Sequence, residues 1–427
     1  MKIDVTDHGI CGDGSTNHTQ SLNALLKTLS KTGGTLYFPA GEYVTGTLFL
    51  YDNVTVYIDA GAVILGSEDF DDYPFIDPTL VKGYTRGGRW GLISAWKAQN
   101  IRICGDGRID GRGRVWWDAD VSDYERPRAI NFIQCKDVTI SDLTICNSPC
   151  WTVHPICCEN ISIRAIKINN PYDSPNTDGI NPESCKNVRI SDCYVNVGDD
   201  CITIKSGTEE DLLQKQYPCE NIIVTNCTLA HGHGGIVFGS EMSGGIKNVT
   251  VSNCIFQDTD RGIRLKTRRK RGGTFSGIIV SNIIMERVGA CITFNEYYNC
   301  FCGEPPFSRE ELFDKGARPV EESTPKISDI RINGIIAHDV RGVGIYFYGL
   351  PEMPIRGVTI SDVRMEITKN EKGFNAIMAP DRERSHGEGI LLENAEEITL
   401  TNVTLTCPGE KLILKNTRDI TLNGKEI

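Results

Sequence analysis

The sequence predicts an all-β chain wound as a parallel β-helix, with one short helix capping its start. Three observations predict it. First, a phrase of Asn or Asp, an aliphatic, any residue and an aliphatic keeps returning. It reads Asn53-Val54-Thr55-Val56, Asn100-Ile101-Arg102-Ile103, Asp137-Val138-Thr139-Ile140 and Asn160-Ile161-Ser162-Ile163. It continues as Asn187-Val188-Arg189-Ile190, Asn221-Ile222-Ile223-Val224 and Asn248-Val249-Thr250-Val251, and later copies begin at Gly277, Asp329, Gly357, Glu397 and Asp419. Several consecutive copies lie about 22 to 34 residues apart, a period that marks a solenoid. Second, the apolar residues of each copy alternate with period two and favour Val, Ile and Thr. That is strand patterning; helical repeats need spacings of three and four, and the fixed leucines of a leucine-rich repeat are absent. Third, cysteines keep phase with the repeat. Cys135, Cys158, Cys185 and Cys219 stand two positions before Asp137, Asn160, Asn187 and Asn221, while Cys193, Cys227 and Cys254 stand six positions after Asn187, Asn221 and Asn248. A cysteine at fixed phase acts as a small buried hydrophobe in a stack. A two-sheet sandwich would not hold one phrase in phase so often.

In chain order, an N-terminal cap covers about residues 1–50. Leu22, Leu25, Leu26 and Leu29 share a helical face, which predicts an amphipathic helix over Thr19–Ser30, ended by Lys31-Thr32-Gly33-Gly34. Strand signals follow at Thr35–Pro39, Gly41–Val44 and Thr47–Leu50. In the repeats, the Asn heading each copy suits a turn, where it tolerates left-handed backbone and can ladder with the Asn of the next rung. A second short strand follows in each copy, as in Asp192–Val197. Two insertions break the rhythm: the charged stretch Glu209–Tyr217 and the proline-rich stretch Tyr297–Pro325, expected to fold over the outside. All of residues 1–427 are expected to form a single catalytic domain.

Composition narrows the function. With 40% hydrophobic and 24% charged residues the chain can bury a sizeable core. A net charge of -11 argues against generic nucleic-acid binding. No apolar run approaches the roughly 18 residues of a membrane span. The opening Met1-Lys2-Ile3-Asp4-Val5 shows no secretory leader, and the 17 cysteines read as reduced core residues, so a cytoplasmic location is expected. Neither Cys157-Cys158 nor Cys300-Phe301-Cys302 has the paired spacing of a zinc site.

The chemistry gathers in four segments: Asn176-Thr177-Asp178-Gly179-Ile180, Gly198-Asp199-Asp200-Cys201-Ile202, Gly232-His233-Gly234-Gly235-Ile236 and Asp260-Arg261-Gly262-Ile263-Arg264-Leu265-Lys266. Registered on Ile180, Ile202, Ile236 and Ile263, Asp178 falls level with Asp200 and Asp199 with His233. Alternation turns Ile263 and Leu265 inward and Arg264 and Lys266 outward. If the segments stack, three carboxylates, an imidazole, a guanidinium and an ammonium share one outer surface. Crowded carboxylates cannot all ionise freely, so at least one pKa should rise, giving an acid and a base from one residue type. Glycoside hydrolysis needs such a pair. Arg264 and Lys266, with Arg261, Arg268, Arg269, Lys270 and Arg271 nearby, ask for an anionic ligand such as a uronic acid sugar. Taken singly, each feature has a plainer reading: a solvated charge run, a Gly-Asp-Asp turn or calcium site, a satisfied turn histidine. Their convergence favours a site.

In these motifs the chain resembles the polygalacturonase-type glycoside hydrolases of family 28. The resemblance rests on Asn176-Thr177-Asp178, Gly198-Asp199-Asp200, Gly232-His233-Gly234 and Arg264-Leu265-Lys266, in that order. It extends upstream through Gly12-Asp13-Gly14, Pro39-Ala40-Gly41-Glu42-Tyr43 and Gly105-Asp106-Gly107-Arg108-Ile109-Asp110-Gly111, ending in Trp116-Trp117. It implies a right-handed parallel β-helix that hydrolyses α-1,4-galacturonosyl links with inversion and without metal or organic cofactor. It implies Asp199 as general acid, Asp178 and Asp200 as the residues that position and activate water, and His233 as support for the acid. Arg264 and Lys266 would hold a substrate carboxylate with Asn176 nearby, and the partner would be an anionic pectic oligosaccharide. Inversion calls for about 6.5–9.5 Å between acid and base, room for a water.

The family's usual Arg-Ile-Lys is Arg264-Leu265-Lys266 here, which alters only an inward residue. Endo-acting members place a tyrosine in the following rung, and Glu286-Arg287-Val288-Gly289 has none. That lack, the stretch Gly239–Gly245 and the Tyr297–Pro325 insertion resemble exo-acting bacterial members. Other readings compete on the same fold: a calcium-dependent polyuronate lyase, a hydrolase of rhamnogalacturonan or another galacturonate-containing glycan, and a non-catalytic sugar-binding β-helix. The grouped aspartates and His233 favour hydrolysis.

Overall fold

A computed structural model of the chain describes residues 1–77, 87–122, 125–211, 216–299, 307–380 and 382–427. Cys300 and Cys302, and residues 212–215 of the first insertion, lie outside the described residues. The chain divides into two compact units, Met1–Asp199 and Asp200–Ile427. The fold is the right-handed parallel β-helix expected, with a helix ahead of the repeats.

The turn that heads each repeat is where sequence dictates geometry most directly. Each of the heading residues, from Asn53 (φ 60°) and Asn100 (φ 55°) through Glu397 (φ 54°) to Asp419 (φ 54°), is left-handed. Asn bears that conformation at little cost. The side chains then ladder: Asn100 Nδ2 donates to Asn53 Oδ1 at 2.9 Å, Asn187 to Asn160 at 3.0 Å and Asn248 to Asn221 at 3.2 Å. A one-residue slip would break both the turn and the ladder, so these residues fix the register.

In unit 1 the cap helix spans Thr19–Leu29 and buries Leu22, Leu26 and Leu29, while Leu25 is half-buried. It ends where Gly33, at φ 70°, donates its N–H to the Leu29 carbonyl at 2.7 Å. Repeat strands stack in register, Val138 on Ile161 on Val188 and Ile140 on Ile163 on Ile190. A second face is a parallel sheet of Leu48–Leu50, Ile93–Trp96, Ile130–Ile133 and Val153–Ile156. Val153 and Ile156 bridge onward to Ile180 and Glu183, which brings the Asp178 segment onto this face.

In unit 2 the same device aligns Ile202, Ile236, Ile263, Ile292 and Ile345 in one column. Three of the four isoleucines chosen from the sequence therefore stand in register here. Phe294 stacks on Phe347 at 4.4 Å behind them. The described part of the Tyr297–Pro325 insertion, residues 297–299 and 307–325, folds over the outside. Its helix Arg309–Phe313, closed by a Ser308/Glu311 capping box, drives Leu312 and Phe313 into a core with Tyr297, Tyr346, Tyr348, Ala376 and Ile377.

The phased cysteines are buried thiols, and Cys135 N–H donates to the sulfur of Cys158 in the next rung at 3.2 Å. They act as small core residues, as expected. No disulfide forms among the described residues.

Candidate active site

In unit 1 a compact loop prepares the first acidic pair. Asn170 Nδ2 donates to Thr152 Oγ1 at 2.8 Å, Ser174 and Thr177 share a hydroxyl bond at 2.5 Å, and Thr177 Oγ1 accepts the Gly198 N–H at 3.3 Å. Only glycine fits at 198, since a Cβ there would lie 2.4 Å from the Ser174 carbonyl oxygen. That close approach carries Asp199 to Asp178, and their nearest carboxylate oxygens fall within 4.8 Å. Asp178 is 3% exposed and accepts from Asn181 Nδ2 at 3.0 Å. Asp199 is half-buried. Two carboxylates this close can also share a hard cation, which is the calcium alternative in geometric form. Asn176 sits at φ 54° beside them, its Oδ1 accepting from Arg126 Nη2 at 2.6 Å. Arg126 is itself buried and also donates to the Pro175 carbonyl at 2.8 Å.

In unit 2 Asp200 is 1% exposed and held by two cations, Arg264 Nη1 at 3.0 Å and Lys266 Nζ at 2.6 Å. Burial pushes its pKa up, but Lys266 and Arg264, helped by His233, outweigh burial and hold the carboxyl well below the usual carboxylate range. Crowding was expected to raise one aspartate; at Asp200 the shift runs the other way, because two cations were recruited to it. Arg264 and Lys266 do project opposite Ile263 and Leu265, yet both are buried rather than laid out on an open surface. Gly234 leaves room for this arrangement. A Cβ there would meet Val237 Cγ2 at 2.4 Å and stand 3.2 Å from Asp200 Oδ1. His233, half-buried, precedes it, and Arg261 Nη1 reaches the His233 carbonyl at 3.5 Å. Arg261 also bonds the carbonyls of Asn375 and Ala376, tying that loop to the His233 turn. Burial first, then Arg264, lowers its pKa to about 10.

Two residues escaped the sequence reading. Tyr298 lies under both cations, its ring 5.4 Å from the Arg264 guanidinium and 5.0 Å from Lys266 Nζ. The strand paired with Arg261–Lys266 is Ala290–Asn295, so the following rung does supply a tyrosine, just past its strand. The sequence argument for exo action from a missing tyrosine therefore falls. Tyr297-Tyr298 stands one residue past that strand, at the head of the insertion, where the repeat pattern has already ended. Arg126 had no motif around it to point it out.

The basic run also needs correction. Arg268 and Arg271 pair with Glu209 at 2.7 and 3.0 Å, Arg269 with Glu352 at 2.5 Å and Lys270 with Glu321 at 2.8 Å. Those carboxylates come from insertions and loops of unit 2, so the run staples loops to the strands and does not await an anionic ligand.

Similarity to known proteins agrees with this geometry. Residues 79–382 match the model of glycosyl hydrolases family 28, and residues 2–101 match a rhamnogalacturonase A/epimerase, pectate lyase-like model. A probable polygalacturonase of Vitis vinifera is 34% identical over 383 residues, covering 86% of this chain and 75% of that protein. A hyperthermoactive exopolygalacturonase from Thermotoga maritima superposes with a TM-score of 0.77 at 26% identity, over 100% of this chain and 93% of that one. A family 28 exopolygalacturonase of Yersinia enterocolitica gives 0.83 at 20% identity, over 100% and 79%, a likeness of fold. A family model matched over well more than half of the sequence, together with a relative 34% identical across most of both proteins, settles the family: the chain belongs to the glycosyl hydrolases of family 28 and is a glycoside hydrolase.

Proposed function

We propose that the chain removes α-1,4-linked galacturonic acid residues from pectic oligosaccharides by hydrolysis, with inversion, from a chain end, and that residues 1–427 act as a single catalytic domain. One observation carries the reading: a carboxylate kept ionised by a guanidinium and an ammonium, Asp200, directly follows a half-buried carboxylate, Asp199. The chain itself makes these two neighbours. Asp199, the more exposed, donates the proton to the leaving oxygen. Asp200, ionised, and Asp178 orient and activate water. His233 supports the acid. Arg264 and Lys266 hold Asp200 and present positive charge to a substrate carboxylate, and Asn176 also binds substrate. Uronide specificity follows from that charge. The names of the similar proteins, polygalacturonases and exopolygalacturonases, support the same substrate class.

Exo action is supported by the cap of unit 2. The outward residues Arg264 and Lys266 pair with Thr293 and Asn295, and these with Tyr346 and Tyr348. Leu312, Phe313, Ala376 and Ile377 bury that tyrosine pair. This cap covers the outer face two strands, roughly 10 Å, beyond the cations, which favours binding a chain end over a continuing polymer. A ladder of mid-length oligomers appearing first from polygalacturonate would refute exo action.

One observation favours a second stereochemical reading. The Asp178–Asp199 approach within 4.8 Å is shorter than the about 6.5–9.5 Å of most inverting enzymes and nearer the about 5–5.5 Å of retaining ones. Inversion therefore rests on the family resemblance. The anomeric form of the first product, followed by NMR, decides: a β-anomer means inversion, an α-anomer retention through a carboxylate nucleophile. An unsaturated product absorbing in the near ultraviolet, lost on chelation, would indicate a lyase instead. Asp199→Asn should keep substrate affinity and lower turnover at least about 10²–10⁴-fold, the size of a general-acid contribution. Retained turnover would remove Asp199 as the acid.

A further inference from the structure

We infer a second saccharide site on unit 1, an aromatic pocket that takes one uronic acid residue of the polymer at a distance from the aspartates. It is a cavity of about 390 Å³ lined by Phe49, Tyr51, Asp52, Trp90, Trp96 and Lys97 among others, at the lower end of small-molecule sites. Four aromatic rings meet there. Phe49 and Trp90 pack edge to face at 5.5 Å, while Lys97 Nζ stands 4.8 Å over the Trp96 ring. Phe49, Tyr51 and Trp96 are half-buried, and Asp52 and Lys97 exposed. Asp52 Oδ1 accepts the Gln99 N–H at 2.8 Å, which fixes its side chain at the rim.

This lining matches a sugar acid better than other small ligands. A pyranose shows a face of weakly positive C–H bonds, which the negative face of an indole or phenol ring attracts. Its hydroxyls need an acceptor at the edge, and Asp52 supplies one. Its carboxylate needs a cation, and Lys97 supplies that. A purely apolar ligand would leave both rim charges without purpose.

The pocket is separate from the acidic pair. Phe49 pairs with Ser94, Ser94 with Asn131 and Asn131 with His154, and the bridges of Val153 to Ile180 and Ile156 to Glu183 set Asn181 next. Four strand spacings, roughly 19 Å, part Phe49 from the Asp178 neighbourhood, and three, roughly 14 Å, part Trp96 from it. Ser94, Asn131 and His154 between them are all buried. A disaccharide cannot span that distance, whereas a polymer held in the pocket raises the local concentration of its own chain at the aspartates.

The choice of a uronide rests on the function proposed above, so the test keeps the two apart. Trp96→Ala and Lys97→Glu are compared with the native chain on digalacturonate and on polygalacturonate, and by retardation in native gels containing polygalacturonate or neutral galactan. The expected result is an about five- to tenfold loss of kcat/KM on the polymer, unchanged digalacturonate turnover, and weaker retardation by polygalacturonate in both variants. Equal losses on polymer and dimer, no loss on either, or unchanged retardation would overturn the pocket. If the native chain turns over neither substrate, the proposed function fails. The pocket then stands if Lys97→Glu weakens retardation and falls if it does not. Stronger retardation by galactan than by polygalacturonate would overturn the assignment of a uronide.

Discussion

Two groups of cations lie within eight residues of each other in unit 2. Arg264 and Lys266 close on Asp200. Arg268, Arg269, Lys270 and Arg271 close on Glu209, Glu352 and Glu321. Both groups are basic, and both bind carboxylates at ordinary ion-pair distances. They differ in where the carboxylate originates. Asp200 leads directly into the strand Ile202–Ile204, which stacks two strands from Arg264. The other carboxylates arrive on insertions and loops. A cation paired within the strand stack has its position set by rung geometry. A cation paired with a loop sets the position of the loop. The sign of a charge in the sequence does not distinguish these jobs; the partner does.

The largest effect should come from removing the shared carboxylate of the first group. Asp200→Asn leaves two buried cations without their counter-charge, which costs about 3–5 kcal/mol, and it removes the proposed base, so turnover should fall at least about a hundredfold. Glu209→Gln makes the matching change in the second group. It should lower the urea midpoint comparably but leave the turnover of folded molecules within a few-fold. If Glu209→Gln abolishes turnover at unchanged stability, the division of labour between the groups is wrong.

A smaller effect sharpens the comparison through product length. Arg269 holds Glu352 and also donates to the carbonyls of Asp314 and Gly316, residues just past the helix that caps Tyr346 and Tyr348. Arg269→Met should destabilise by about 3 kcal/mol, the lower end for breaking a buried pair. It should also loosen the cap, so that longer oligomers appear among the early products of polygalacturonate. Unchanged product lengths at the expected loss of stability would mean that the cap does not determine chain-end action.

How far the sequence reveals all this depends on the range of the interaction. The turn asparagines are legible because a left-handed residue is a local requirement, met by the residue itself. Asp178, Asp200, His233, Arg264 and Lys266 are legible because period-two alternation and a repeat phase place them without any knowledge of loops. Asp199 and Asp200 show where that stops. Neighbours in one motif, they differ sharply in exposure, and only the packing around Gly198 and Gly234 explains why one is buried. Arg126 and Tyr298 were not legible as site residues. Each reaches its partner from a segment whose path is fixed by tertiary contacts, and nothing in the local pattern of either segment reports that path. The run Arg268–Arg271 was legible in sign and misleading in meaning for the same reason, since its partners are distant glutamates.

The smallest expected effect belongs to Tyr298, which touches the first group without carrying charge. Its ring lies near enough to both Arg264 and Lys266 for cation–π attraction, about 0.5–2 kcal/mol depending on desolvation. Tyr298→Phe keeps the ring and should leave kcat/KM on oligogalacturonates within about twofold. Tyr298→Leu keeps an apolar side chain, though a smaller one, but loses the quadrupole, so the cations are held less firmly, and kcat/KM should fall about three- to thirtyfold. Because the ring acts through the cations, the loss should shrink on an oligomer whose carboxylates are methyl-esterified, which no longer uses their charge fully. Steady-state kinetics on the free and esterified forms check this. An equal loss on both would show that Tyr298 fills space rather than positioning Arg264 and Lys266.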